Sequence, residues 1–141
     1  MRVLCLDLGE KRIGVAISDP EGILASPLSI IESRQDDSAI GQIVVLALEL
    51  QVERIIVGLP RSLDGTEGPQ AQIVRNFVEN LKSLVDVPVD VWDERLSTVA
   101  ANRMMAEARV KKKKKKEKRD AIAAAIILQS YLDAEPEQGR G

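Results

Sequence analysis

The chain of 141 residues contains no histidine. That absence excludes Ser–His and Cys–His nucleophilic catalysis, imidazole general bases and histidine metal ligands together. There is one cysteine, Cys5, so no internal disulfide forms. It lies in an apolar strand pattern, as a small buried hydrophobe does. Aromatic residues are 2% of the chain, too few for base stacking to dominate any contact with nucleic acid. No apolar run approaches the roughly 20 residues of a membrane span, and "MRVLCLDLGE" lacks the apolar region and cleavage site of a secretion signal. A cytoplasmic protein with no membrane partner is expected. Neither a Walker loop nor a GxGxxG motif is present. The chemistry that remains must come from carboxylates, lysines, hydroxyls or backbone, assisted by a metal.

What is present is a globular composition, 45% hydrophobic, in a length that suits one domain. That domain is expected over residues 1–133, with the polar stretch "AEPEQGRG" at 134–141 as a disordered tail. The formal net charge of −2 conceals a sharp segregation. Residues 111–119 hold eight basic residues and one acidic one, leaving 12 basic and 21 acidic residues elsewhere, a net of −9. An acidic body therefore carries one dense basic segment.

Hydrophobic periodicity gives the order β-β-β-α-β-α-β-α-α. "RVLCLDLG" and "RIGVAIS" are strands joined by a hairpin around Gly9-Glu10-Lys11. A third strand runs from Ile23 to Ile31, with Pro27 marking an edge position or a bulge. Ile40, Ile43, Val44, Ala47 and Leu48 recur at helical spacing after the cap candidates Asp36, Asp37 and Ser38. "RIIVGLP" and "VPVDVW" are strands, separated by a helix marked by Val74, Phe77, Val78, Leu81 and Val85. Two further helices are marked by Ala101, Met104, Met105 and Ala108, and by Ala121, Ala124, Ala125, Leu128 and Leu132. This order predicts an α/β fold. Its mixed five-stranded sheet has three antiparallel hairpin strands, two parallel strands beside the first, and helices on both faces.

Three acidic positions stand at ends of elements. Asp7 lies inside the first strand, Asp93-Glu94 follows the strand "VPVDVW", and Asp120 opens the last helix on the line of Ala124 and Leu128. Local pairing with Lys11, Arg12 or Arg95, or a capping role for Asp120, would account for each singly. Spacing alone does not separate Asp93 from Glu94. Clustered carboxylates repel one another unless cations intervene, and an all-oxygen ligand set suits Mg²⁺ or Mn²⁺. Two such ions about 3.5–4 Å apart would support phosphodiester cleavage. Candidate phosphate contacts are Lys11 and Arg12 at the hairpin tip, Arg61 in "GLPRSLDGTEGPQ", and Arg95. The basic segment adds Lys111, Lys112, Lys113, Lys114, Lys115, Lys116, Lys118 and Arg119. Its mutual repulsion predicts a mobile electrostatic arm that holds the phosphate backbone without reading bases.

"DLGEKRIGVAISD", "VGLPRSLDGTEGPQA", "DERLSTVAA" and "KRDAIAAAIILQSYL", in this order, closely resemble the YqgF (RuvX-like) family over about residues 1–133. Those bacterial proteins are described as Holliday junction resolvases and as pre-16S rRNA nucleases. The resemblance implies a ribonuclease H-like fold and a divalent-metal-dependent nuclease. It places the catalytic, metal-binding carboxylates at Asp7, Glu94 and Asp120, favouring Glu94 over Asp93. The nearly pure lysine run before Asp120 departs from the family pattern. The expected substrate is structured RNA, foremost the 5′ end of precursor 16S rRNA, with ribosomal precursor particles as a further partner. The alternative is a four-way DNA junction, whose symmetry favours a dimer. A monomer or a weak homodimer fits the sequence. Outside the nuclease class stand an actin-like nucleotide-binding protein, which "DLGEKRIG" also resembles, and a non-catalytic rRNA-binding protein.

Overall fold

Leu4, Leu6 and Leu8 alternate along the first strand with Val3, Cys5 and Asp7, so the two rows face opposite sides of the sheet. Both rows are buried except at Asp7, which is half-buried, and a strand buried on both faces needs cover on both. The computed structural model, described for residues 1–9, 11–32, 37–61, 65–94 and 117–134, supplies that cover with three helices. In chain order the elements are β1 (Val3–Leu8), β2 (Ile13–Ser18), β3 (Ala25–Ile31), α1 (Asp37–Glu49), β4 (Arg54–Leu59), α2 (Pro69–Lys82), β5 (Val89–Asp93) and α3 (Glu117–Ala134).

The strands form one sheet in the order β3-β2-β1-β4-β5. β1, β2 and β3 are antiparallel, while β4 pairs parallel to β1 and β5 parallel to β4. This is the expected mixed sheet. Leu4, Leu6, Val15, Ile55 and Val57 pack on one face with Ile43 of α1 and Val74, Phe77 and Leu81 of α2. Val3, Cys5, Ala16 and Ile56 pack on the other face with Ala124, Leu128 and Tyr131 of α3. Each fully buried Leu or Ile contributes about 1.5–3 kcal/mol of transfer free energy.

Four boundaries differ from the sequence reading, each for a local reason. β3 begins at Ala25 rather than Ile23. The Asp19 carboxylate accepts hydrogen bonds from the Ile23 and Leu24 amides at 2.7 and 3.0 Å, holding both residues in a turn. Pro27 does lie in the edge strand, where the pairing slips between Val15 and Ala16. α2 ends at Lys82, and Val85 belongs to its closing turn, where its amide bonds Leu81 O. α3 begins at Glu117, three residues before Asp120. Asp120 is therefore inside the first turn and is not the cap. Lys118 and Arg119 are helical rather than part of a mobile arm; they continue an Ala-rich segment. α3 continues through Ala134, one residue past the expected boundary. The expected helix around Ala101–Ala108 lies outside the described residues, as do Arg95 and the lysines 111–116.

Candidate active site

The site face is the α3 side of the sheet, at the C-terminal ends of β1, β4 and β5. Asp7 shares a face with Val3 and Cys5, both of which pack under α3. Its neighbour across β2 is Gly14. On the β4 side, one step beyond the Leu6–Val57 pair brings Asp7 level with Gly58. Glycine on both sides removes the side chains that would crowd the carboxylate, and glycine within a strand marks a place of close approach.

Glu94 arrives on the same face from β5. Gly58 pairs with Trp92, and Glu94 lies two residues beyond Trp92, on the same side of the sheet. A Cβ placed on Gly58 would sit 3.2 Å from Glu94 Cγ and 3.4 Å from its Cδ. The Glu94 carboxyl therefore folds back over the bare backbone of Gly58. Burial pushes its pKa up to about 7, helped by the negative charges of Asp7 and then Asp93. Beneath the pair, the Cys5 thiol is pushed well up by burial, with Asp7 and Glu94 adding to the effect. Trp92 braces this end of β5. Its indole N–H donates to Ser130 Oγ at 3.1 Å, and its ring meets Tyr131 edge-on at 5.4 Å.

Asp93 faces the other way. It lies beside Arg61, at 4.0 Å. Arg61 also pairs with Glu67 at 3.3 Å, which Arg75 grips through two 2.7 Å hydrogen bonds. The alternation of β5 thus separates the two acids that spacing left equal. Asp93 belongs to an ion-pair network tying the β4–α2 loop to α2, and Glu94 belongs to the site face. The network also engages the guanidinium of Arg61, read from the sequence as a phosphate contact. Arg12 pairs with Glu32 at 3.4 Å, and Lys11 is exposed at the hairpin tip.

The backbone puts Asp120 on the helical line of Ala124 and Leu128, both fully buried against the site face; its side chain lies outside the described residues. Among the described residues no group of three His, Cys, Asp or Glu side chains is assembled as a metal site. What they do contain is two carboxyl groups converging on one face, one with its ionisation suppressed by burial and then by the charge of the other. That donor set fits a hard divalent cation. Gly14 and Gly58 were the signal overlooked in the sequence: two in-strand glycines whose significance depends on register. No described helix is long and apolar enough to cross a membrane.

Comparison with solved structures identifies the class. Thermus thermophilus RuvC in complex with a Holliday junction superimposes with a TM-score of 0.59 at 16% identity, covering 95% of this chain and 96% of that one. The fowlpox virus Holliday junction resolvase gives 0.57 at 14%, covering 95% and 99%. The fold is that of the RuvC-like resolvases, a ribonuclease H-like fold. Among sequence relatives, a protein of Roseiflexus sp. (strain RS-1) named "Putative pre-16S rRNA nuclease" is 46% identical over 134 residues, 95% of each chain. One of the same name from Chloroflexus aurantiacus is 48% identical over 132 residues, 94% of this chain and 86% of that one. The profile of the RuvX family, described as Holliday junction resolvase, matches residues 1–134. The chain belongs to the RuvX family, the group to which its four motifs pointed, and is a nuclease.

Proposed function

We propose that the chain is a divalent-metal-dependent endonuclease that processes the 5′ end of precursor 16S rRNA. The observation that carries the chemistry is the pairing of Asp7 with Glu94. Two acids share one sheet face across Gly58, and Glu94 is pushed up to about 7 by burial and by Asp7. Asp7, Glu94 and Asp120 would hold Mg²⁺ or Mn²⁺, which when bound supplies charge neutralisation and an activated water. The chain's own residues do the rest. Asp7 brings a carboxyl group between two glycines, where a phosphate backbone can come close. Without metal, burial keeps Glu94 protonated up to about pH 7, and the packing of Trp92 on α3 holds its strand end in place. Lys111–Lys116, with Lys118, Arg119, Lys11, Arg12 and Arg95, would hold the substrate's phosphates against an otherwise acidic body.

The substrate rests on the names of the relatives, each named "Putative pre-16S rRNA nuclease". A second reading, incision of four-way DNA junctions, is favoured by the description of the family. Side-by-side cleavage of precursor 16S rRNA and a four-way DNA junction, with Mg²⁺, Mn²⁺ or chelator, separates the two. Metal-dependent trimming of the RNA with an intact junction supports the first. Symmetric incision of the junction with intact RNA overturns it in favour of the second.

A further inference from the structure

We propose that the cleft between β3 and α3 receives an unpaired nucleobase of the substrate strand. That assignment rests on the nuclease reading, and it narrows the substrate to strands with an unstacked nucleotide beside the cut. The cleft has a volume of about 560 Å³, and Leu28, Ile30 and Ile122 are its large apolar lining residues. Size and lining suit a small ligand with apolar faces, fixed by a few polar groups.

Strand register joins the cleft to the carboxylate site. Asp7 pairs with Gly14, and Gly14 pairs with Ile30. The three residues stand on one line across the sheet and share its α3 face. Two strand spacings put the Ile30 backbone about 10 Å from that of Asp7. The glycine between them leaves no side chain to part the two. On the other wall, Ala121 lines the cleft and directly follows Asp120 in the chain. A strand whose phosphate lies over Asp7 therefore brings a neighbouring base to the cleft. The sheet edge is irregular at this place. Val15 pairs with Ser29 and Ala16 with Pro27, so Leu28 is the extra residue of a bulge. Bulges re-aim side chains and are frequent beside active sites. Leu28 lines the cleft and is 39% exposed.

The chemistry of the lining selects the occupant. Among its described residues there is no lysine or arginine, so a phosphate would find no counter-charge inside. A peptide strand added to β3 would meet a bulge and a proline, two devices that block pairing at an edge. A base offers apolar faces to Leu28, Ile30 and Ile122 and a polar edge to Ser29 and Glu32. Aliphatic walls can sandwich an extruded base as aromatic ones do, in a chain with only 2% aromatics. The Glu32 carboxylate pairs with Arg12 at 3.4 Å and can accept from an exocyclic amino group. Adenine, cytosine and guanine carry that group and uracil does not. Arg12, at the rim, suits the adjoining phosphate.

Binding of a hairpin RNA with one bulged nucleotide, by the full chain in chelator, tests the proposal without cleavage. The controls are the same hairpin with an abasic bulge and with no bulge. The wild type should bind bulged adenine about fivefold or more tighter than either control, the low end of what stacking one base contributes. Bulged uracil should fall between. Leu28→Gln and Ile122→Gln should bind all the hairpins equally, with an unchanged salt slope, since neither alters charge. Equal wild-type affinities for the bulged-adenine and abasic hairpins, or no binding at all, overturn the proposal. So does a preference that survives Leu28→Gln, a change at an exposed bulge that decides the matter even if Ile122→Gln fails to fold. Cleavage of precursor RNA by a wild type that shows no base preference overturns the base cleft and leaves the nuclease reading. Base capture without cleavage of RNA or DNA does the reverse.

Discussion

Glu94 and Ile127 meet over Gly58. A Cβ on residue 58 would lie 3.2 Å from Glu94 Cγ and 2.9 Å from Ile127 Cδ1. One added methyl group would therefore press on a candidate metal ligand and on the helix that covers it. Gly58→Ala should cost about 1–2 kcal/mol of stability, because the nearest atom is the end of a side chain that can turn aside. Single-turnover cleavage should fall further, about tenfold or more, because the Glu94 carboxyl is displaced. Equal rates for the two proteins would show that the position of Glu94 is immaterial.

Asp7→Asn separates catalysis from folding. Cleavage should drop to background. The metal-free protein should melt a few degrees higher, because the charge opposing Glu94 is gone. Metal-dependent cleavage retained in a pure sample would remove Asp7 from the site.

The raised pKa of Glu94 sets a pH dependence whose sign can be worked out. In the unfolded chain the group titrates near 4.5, and in the folded protein near 7. Between those values the folded state holds the extra proton, so metal-free stability is greatest below 4.5 and falls as pH rises towards 7. Glu94 is partly open to solvent, which weakens the effect. Melting temperatures across this window should decline in the wild type and much less in Glu94→Gln. Saturating Mg²⁺ should flatten the wild-type curve as well, since a bound cation favours the ionised form. A Glu94→Gln curve as steep as the wild type would assign the dependence to other groups.

Replacing Lys111–Lys116 with serine tests the electrostatic arm. Each lost lysine–phosphate contact should reduce the salt slope by about 0.9 on duplex DNA, or about 0.7 on single strands. Affinity at low salt should fall several-fold or more. Cleavage at saturating substrate should fall far less than in Asp120→Asn, because the carboxylates remain. Parallel plots of affinity against salt for the two proteins would leave the lysines with no part in binding.

Much of the fold was legible because its signals are local. The apolar runs around Leu4–Leu6 and Ile55–Val57 are long enough to mark strands, and Val74, Phe77, Val78 and Leu81 keep strict helical phase. Pro27 announced the edge of the sheet. The errors arise where a side chain from elsewhere takes over a backbone group. Asp19 holds the Ile23 and Leu24 amides, and Gln129, 104 residues away, accepts from Ala25 N. No periodicity reports such a bond. At the site, Asp7 stood out as an acid in an apolar strand. Spacing left Asp93 and Glu94 equal, and only the family resemblance favoured Glu94, because adjacent strand residues differ only in which face they occupy, and that depends on strand pairing. Gly14 and Gly58 were invisible for the same reason. Each gains meaning only beside Asp7, in registers that chain order does not state.

Among the described residues α3 alone covers one face of the sheet, and it is the last described element in chain order. Synthesis runs from the N-terminus, and earlier parts can begin to organise first. During that interval Val3, Cys5, Ala16 and Ile56 form an open apolar surface with Asp7 and Glu94 at its rim. Docking of the Ala-rich helix closes that surface and, in the same event, carries the backbone of Asp120 to the side of the sheet that Asp7 shares. The step that makes the protein stable and the step that would complete the proposed three-carboxylate site are thus one.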